Sequence, residues 1–249
     1  MIDTESRTGF RRAAQRMQHP AALLCLYCLA CGAVQAGDDS HYSGAGFFDI
    51  HVCNWPDRPL FLMPLFSSER FAEIDRIEVF APDDSFITEL DLQRFRILKR
   101  KGKPEKRVFI RQIDMPDNAT DGWYSARVKL TDGSQYRARD YVILSQLSQV
   151  SGRVPANESV LVQVPAELSW EPVTGAAHYQ VFIRDLWNDS KLVYTSKLLQ
   201  QPRLVLPTGL IESGGSYAWV IHARDTNEHS LLGDFNHGSL NRPATFSVD

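Results

Sequence analysis

The sequence predicts an all-β protein, with two β-sandwich domains in tandem after an N-terminal export signal. Short segments of alternating apolar and polar residues, separated by turn residues, fill the chain from Phe47 onward. No long stretch with helical periodicity interrupts them, and a charged leader with an apolar run precedes them. The 249 residues suffice for two domains of about 100 residues each.

Residues 1–36 are typical of a signal peptide. Four arginines make the leader positive, and the uncharged run 21–34 is too short to span a bilayer comfortably. Small residues end the run at Ala36, where we expect cleavage. The protein is therefore expected in the periplasm or outside a bacterial cell. Two alternatives attach it to the membrane: retention of the run as an anchor, or lipidation of Cys31, which stands in a degenerate lipobox.

The charge of the exported part excludes one class of partner. The leader holds four arginines and two acids, so its removal lowers the formal net charge from −3 to about −5. Proteins that neutralise phosphates usually carry a basic excess, and we therefore expect no nucleic-acid partner. Cleavage leaves only Cys53, which is expected to be a small buried side chain because one cysteine forms no internal disulfide.

Residues 47–144 are predicted to form the first sandwich, after a flexible segment over 37–46. The clearest element is a hairpin whose strands, 123–131 and 136–144, flank Asp132-Gly133. Glycine accepts the positive φ that a tight turn requires, so the two strands are expected to pair.

The polar stretch 145–163 is predicted to be a linker, and residues 164–249 are predicted to form the second sandwich. Period-two alternation assigns two strand faces to its core. With Trp170, the expected core side chains are Tyr179, Val181, Ile183, Tyr217, Trp219, Ile221 and Ala223. The opposite face, with His178, Gln180, His222 and Arg224, is expected to meet solvent or a partner.

Two resemblances refine the prediction. Leu168-Ser169-Trp170, then Tyr179-Gln180-Val181 and the later run 215–225, resemble a fibronectin type III domain over about residues 164–249. More loosely, the segment 121–124, Asp-Gly-Trp-Tyr, resembles the tyrosine corner of immunoglobulin-like domains. The resemblances imply sandwich folds, and the fibronectin family implies a spacer or binding scaffold.

No catalytic constellation is visible. The chain has no Gly-x-Ser-x-Gly elbow, and spacing selects neither a carboxylate pair nor a third ligand for His178 and His222. We therefore expect no catalytic residues, no metal and no cofactor. An alternative is a calcium site in the loop with Asp114, Asp117, Asn118 and Asp121.

The most distinctive local feature is basic. Eight lysines and arginines lie between Arg94 and Arg107, and Gly102 with Pro104 indicates a hairpin tip. Its flanks are expected to pair with Phe95 and Ile97 against Val108 and Ile110. The predicted contact residues are Arg100, Lys101, Lys103 and Lys106 in the tip, with Asp234 and His237 in a later loop. The alternative role of the tip is to keep an edge strand soluble.

The sequence thus predicts an exported, non-catalytic binding or structural module. Its expected partner is an envelope protein or an anionic polysaccharide, with membrane contact only if the leader is retained or lipidated. The alternative function is a carbohydrate-active enzyme or accessory protein that uses Trp55, Trp123 and Trp187.

Overall fold

Strands make up all regular structure in the described residues apart from one 3-10 turn at Phe71–Glu73. A computed structural model describes residues 39–226 and 235–249. The all-β prediction is confirmed over these ranges, and none of their helices is long and apolar enough to cross a membrane. The predicted signal peptide and the lipidation candidate Cys31 lie outside the described residues.

The described ranges contain 18 strands in three sheets. They are β1 (Tyr42–Ser43), β2 (Gly46–Asn54), β3 (Phe61–Ser68), β4 (Ile74–Phe80), β5 (Phe86–Glu89), β6 (Phe95–Leu98), β7 (Lys106–Ile110), β8 (Ile113–Asp114), β9 (Gly122–Leu130), β10 (Gln135–Val142), β11 (Ser159–Leu161), β12 (Glu167–Ser169), β13 (His178–Asp185), β14 (Lys191–Thr195), β15 (Arg203–Val205), β16 (Ser216–Arg224), β17 (His237–Leu240) and β18 (Ala244–Val248). Twelve of them belong to one long sheet. Eight of these follow the path β11-β18-β16-β17-β2-β3-β7-β6, and β1, β8, β13 and β14 pair beside it.

The first hydrophobic core lies between this long sheet and the four-stranded sheet β10-β9-β4-β5. Phe48 and Phe66 enter it from β2 and β3, and Ile77 and Tyr124 enter it from β4 and β9. The predicted hairpin is confirmed, because β9 and β10 pair and Gly133 has a φ of 87°. Facing apolar surfaces of two sheets are the arrangement of a sandwich.

The second core lies between the other end of the long sheet and the two-stranded sheet of β12 and β15. Leu168 and Leu204 enter it from the small sheet, and Trp219 and Phe246 enter it from the long one. All the core residues that alternation predicts are buried: Trp170, Tyr179, Val181, Ile183, Tyr217, Trp219, Ile221 and Ala223.

One residue of the predicted solvent face is buried instead. His222 is 8% exposed, because the ring of Phe235 packs edge-on against it at 4.9 Å between ring centroids. Its cross-strand partner is Gln180, whereas His178 lies opposite Arg224. The two histidines lie on adjacent strands, but they are not a cross-strand pair.

The segment 145–163, which the sequence predicts as a linker, is built into the fold. Leu147 and Val150 are buried in the second core, and the strand β11 pairs in parallel with β18. The Leu147 carbonyl accepts a hydrogen bond from Asn54 at 2.9 Å. Sequence reasoning missed this role because scattered apolar residues in a polar stretch show no periodicity.

The described part of the predicted flexible segment 37–46 is also built into the fold. Tyr42 and Ser43 pair with the start of β2, and Ala45 is 2% exposed. Ser68 donates a hydrogen bond to the Ala45 carbonyl at 2.6 Å. Partners far along the chain hold this stretch, which its own composition does not reveal.

Tyr124 closes the corner that the sequence predicts at residues 121–124. Its ring is fully buried, and its hydroxyl donates a hydrogen bond to the Thr120 carbonyl at 3.0 Å. Asp121 accepts a hydrogen bond from the Leu144 backbone N–H at 2.8 Å. The hydrogen bond of Asp121 thereby ties the segment that enters β9 to Leu144, two residues after the end of β10.

We predict that Tyr124→Phe lowers the free energy of unfolding by about 1 kcal/mol, because the Thr120 carbonyl loses its donor while the ring still fills its site. Chemical denaturation measures the effect. Tyr141→Phe is the matched control, since the Tyr141 side chain is 51% exposed. Equal losses in both variants would show that the corner hydrogen bond contributes nothing specific.

Candidate functional site: a basic hairpin and its pocket

The basic stretch forms a hairpin of β6 and β7, as its glycine and proline predict. The register runs from Phe95 opposite Phe109 to Leu98 opposite Lys106. At the tip, the Lys103 N–H donates a hydrogen bond to the Arg100 carbonyl at 3.1 Å, and Gly102 has a φ of 72°. Since β6 ends the path of the long sheet, the hairpin projects from an edge.

The predicted pairing of the hairpin flanks is wrong by one residue. Phe95 meets Phe109, and Val108 lies opposite Arg96. A shift of one residue moves every side chain to the other face of a strand. Phe109, which is 1% exposed, decides the register because it enters the first core, and Ile97 is left 55% exposed.

One cation of the stretch is structural. The guanidinium of Arg107 lies 4.2 Å from the ring centroid of Phe71 and 4.1 Å from that of Phe95. Cations over aromatic faces are attracted by the ring quadrupole. Arg107 therefore fixes the base of the hairpin to the 3-10 turn.

Three of the four predicted tip residues line one pocket of about 300 Å³. Arg100, Lys103 and Lys106 lie along it, whereas Lys101 is not among its lining residues. Lys106 also forms a 3.2 Å ion pair with Glu69, which lines the same pocket. The volume suits a single ring or a short side chain, at the small end of ligand sites.

Aromatic side chains complete this pocket. Tyr42 and Phe47 line it together with Leu98 and Pro104. The two aromatic rings lie 5.0 Å apart between centroids, because β1 and β2 pair Tyr42 directly with Phe47. Sequence reasoning missed both residues, since they precede the hairpin by about fifty positions and only strand pairing brings them there.

The same face of the hairpin is cationic towards its base as well, because Arg96–Val108 and Leu98–Lys106 are alternate cross-strand pairs. Arg94, Arg96 and Arg111 line a wider hollow of about 860 Å³ beside Val108 and Ile110. The Arg111 guanidinium donates to the Glu89 carbonyl at 2.9 Å, which holds that side chain against β5. Positive charge therefore extends along one face of the hairpin from its tip to its base, and a chain-like anion can contact both hollows at once.

The two predicted loop residues have different outcomes. Asp234 lies outside the described residues. His237 begins β17, and its Nδ1 lies 2.7 Å from Asp225 Oδ2. Its Nε2 lies 2.7 Å from the Ile143 carbonyl oxygen. His237 thus joins the segment after β10 to the segment after β16. A structural role accounts for its position.

The other sequence candidates occupy separate places. Asp114 forms a 2.9 Å ion pair with Arg58, and Asp121 caps the corner described above. Cys53 is buried, as predicted, and burial raises the pKa of its thiol to about 12. Trp187 is 75% exposed and far along the chain from the hairpin, and Trp123 packs on Tyr141.

Comparison of the chain with known protein families finds no match. Curated protein sequences likewise give none. Among solved structures it is similar to trypsin-activated α2-macroglobulin from Escherichia coli, with 11% identity over 82% of this chain and a TM-score of 0.26. It is also similar to a variant of Salmonella α2-macroglobulin, with 12% identity, 84% coverage and a TM-score of 0.26.

The chain spans only 15% of the length of either α2-macroglobulin. A third similar structure is a segment of titin, with 13% identity, 81% of this chain and 66% of that one covered, and a TM-score of 0.25. Similarity at this level carries no argument about function. The functional argument therefore rests on the side chains of the hairpin and its pocket.

We predict that His237 makes stability depend on pH. The Asp225 carboxylate raises the pKa of His237 above its ordinary value near 6.5, although burial opposes the shift. Both ring nitrogens face acceptors, so the charged form satisfies both contacts. The stabilisation is complete below about pH 6.5 and is lost as the pH rises through the folded-state pKa.

Urea unfolding across about pH 5 to 9 tests this effect. The free energy difference between the wild type and His237→Gln should shrink as the pH rises. His178→Gln is the control, because His178 lies on β13, which β16 separates from β17. A difference that stays constant with pH would contradict the assignment of a charged His237.

Proposed function

We propose that the protein is an exported, non-catalytic module that binds an anionic polysaccharide of the bacterial envelope through the basic hairpin. The observation that carries the proposal is the convergence of Arg100, Lys103 and Lys106 on a pocket with aromatic walls. Carboxylate or sulfate groups of a glycan are complementary to the cations. Sugar rings have apolar faces that pack on aromatic side chains such as Tyr42.

A polysaccharide accounts for the geometry better than an acidic protein segment does. The pocket accommodates about one ring, and the cations continue along the same face of the hairpin towards its base at Arg94 and Arg96. A polymer with one anionic group per sugar places successive charges along this row of cations. Most of these cations are exposed, so the attraction is expected to weaken strongly with salt.

The proposal includes the finer architecture. We infer an immunoglobulin-like domain over residues 47–144 and a fibronectin type III-like domain over 164–249, after a signal peptide over 1–36. The Tyr124 corner and the Leu-x-Trp strand at Leu168–Trp170 support the domain types. Periplasmic or extracellular placement follows from the leader, and it brings the hairpin to envelope glycans.

We predict that Arg100→Gln/Lys103→Gln weakens binding to alginate oligomers about 100-fold at low salt. Each charged contact is worth about tenfold. Isothermal titration with alginate measures the loss, and neutral dextran serves as the uncharged ligand. Tyr42→Ala in the wild-type background should also lower the affinity for alginate. The salt dependence should not change, because the Tyr42 contact carries no charge.

The matched control is Lys191→Gln/Lys197→Gln, which removes the same charge from exposed positions near β14. This variant should bind alginate as the wild type does. Equal losses in the two double variants would show that net charge alone drives the association. Tight binding by both would contradict a site at the hairpin.

A further inference from the structure

A cluster of ionisable side chains lies where the chain before β1 meets β2 and β10. It consists of His41, Asp49 and Asp140. Asp49 is fully buried and Asp140 is 5% exposed, while the His41 side chain is 16% exposed. One ligand atom from each of the three residues lies within 4.8 Å of the others. The proposed polysaccharide site uses none of them.

The contacts inside the cluster are short. His41 Nε2 lies 3.0 Å from Asp140 Oδ1. A carboxylate oxygen of Asp49 lies within 4.8 Å of both His41 and Asp140 ligand atoms. Two buried carboxylates this close together favour a cation between them, because two like charges repel strongly there.

Contacts outside the cluster orient each of the three side chains. Asp39 Oδ1 lies 2.8 Å from His41 Nδ1, and the Ile50 N–H donates to Asp140 Oδ2 at 2.8 Å. His51 Nε2 lies 3.3 Å from Asp49 Oδ2. Metal-binding histidines typically donate their other ring N–H to a carboxylate in this way. These outer contacts point His41 Nε2 and Asp140 Oδ1 at the same position.

We propose that His41, Asp49 and Asp140 bind a zinc ion. One imidazole and two carboxylates are a donor set that suits zinc, whereas calcium prefers oxygen ligands alone. Three protein ligands leave a fourth position for water. The two positive charges of the ion balance the two carboxylates, and the imidazole binds it in the neutral form.

Zinc at this position would also support the first strand of the fold. The ring of His41 stacks on the ring of Phe47 at 5.8 Å between centroids. Tyr42, the next residue after His41, also packs against the Phe47 ring. An ion that binds only the folded cluster stabilises the contacts around it. Spacing along the sequence hides this set, because Asp140 lies far from the other two residues.

The test is a zinc titration of the chelator-treated full chain. Isothermal titration calorimetry measures the binding, and no polysaccharide is present. The wild type should bind one zinc ion per chain. His41→Gln should abolish this binding. Asp39→Asn leaves the three ligands in place and should weaken it about tenfold or more. His178→Gln, which removes a histidine on β13, should bind zinc as the wild type does.

X-ray absorption of the loaded wild type should show one imidazole and oxygen ligands at about 2.0–2.2 Å. Far-UV circular dichroism checks that each variant is folded. A folded wild type that binds no zinc would overturn the proposal, as would zinc binding that survives in His41→Gln or disappears in His178→Gln. Tighter binding of calcium than of zinc would also overturn it. None of these outcomes depends on whether the hairpin binds polysaccharide.

Discussion

The parallel pairing of β17 with β2 is the interaction on which the rest of the described structure depends. His237, Gly238 and Ser239 pair with residues 52–54, and Val52 donates its N–H to the Asn236 carbonyl at 2.8 Å. This pairing continues one sheet through both hydrophobic cores. Ser239 then donates to the Ser148 carbonyl at 2.6 Å, which holds the connecting segment against the same strands. Each core therefore packs on a sheet that the other core also stabilises, and the basic hairpin at the edge of that sheet is held by both.

The same charges of the hairpin can protect an edge strand and serve the proposed recognition of an anion. An edge strand carries unpaired backbone groups, and exposed lysines and arginines discourage pairing with another chain. Those cations line a pocket only because Tyr42 and Phe47 lie beneath them, and Arg107 between two aromatic rings fixes the base. Protection of the edge and recognition of an anion are thus compatible in one element. The aromatic walls are the feature that edge protection alone leaves unexplained.

Three histidines show how environment assigns different chemistry to one residue type. Burial lowers the pKa of His222 to about 3, and its Nδ1 accepts a hydrogen bond from Arg224 Nε at 3.0 Å, so it is a neutral acceptor. His237 lies between a carboxylate and a carbonyl, which favours the charged form. His41 has carboxylates on both ring nitrogens, and although burial opposes its charge, they raise its pKa to about 9. Backbone topology, which sets these neighbours, decides the role of each ring.

Local sequence patterns predict the strands, most of their inward faces and the basic tip, because alternation and turn residues act over a few neighbouring positions. They predict Trp170, Tyr179 and Trp219 as core residues, and these residues are buried. Tertiary structure alone decided the hairpin register, since Phe109 must enter a core built from distant strands. It also decided the burial of Leu147, the aromatic walls of the pocket and the cluster around Asp49. These features depend on pairing between segments that are far apart in the chain, and no local pattern encodes which strand lies beside which.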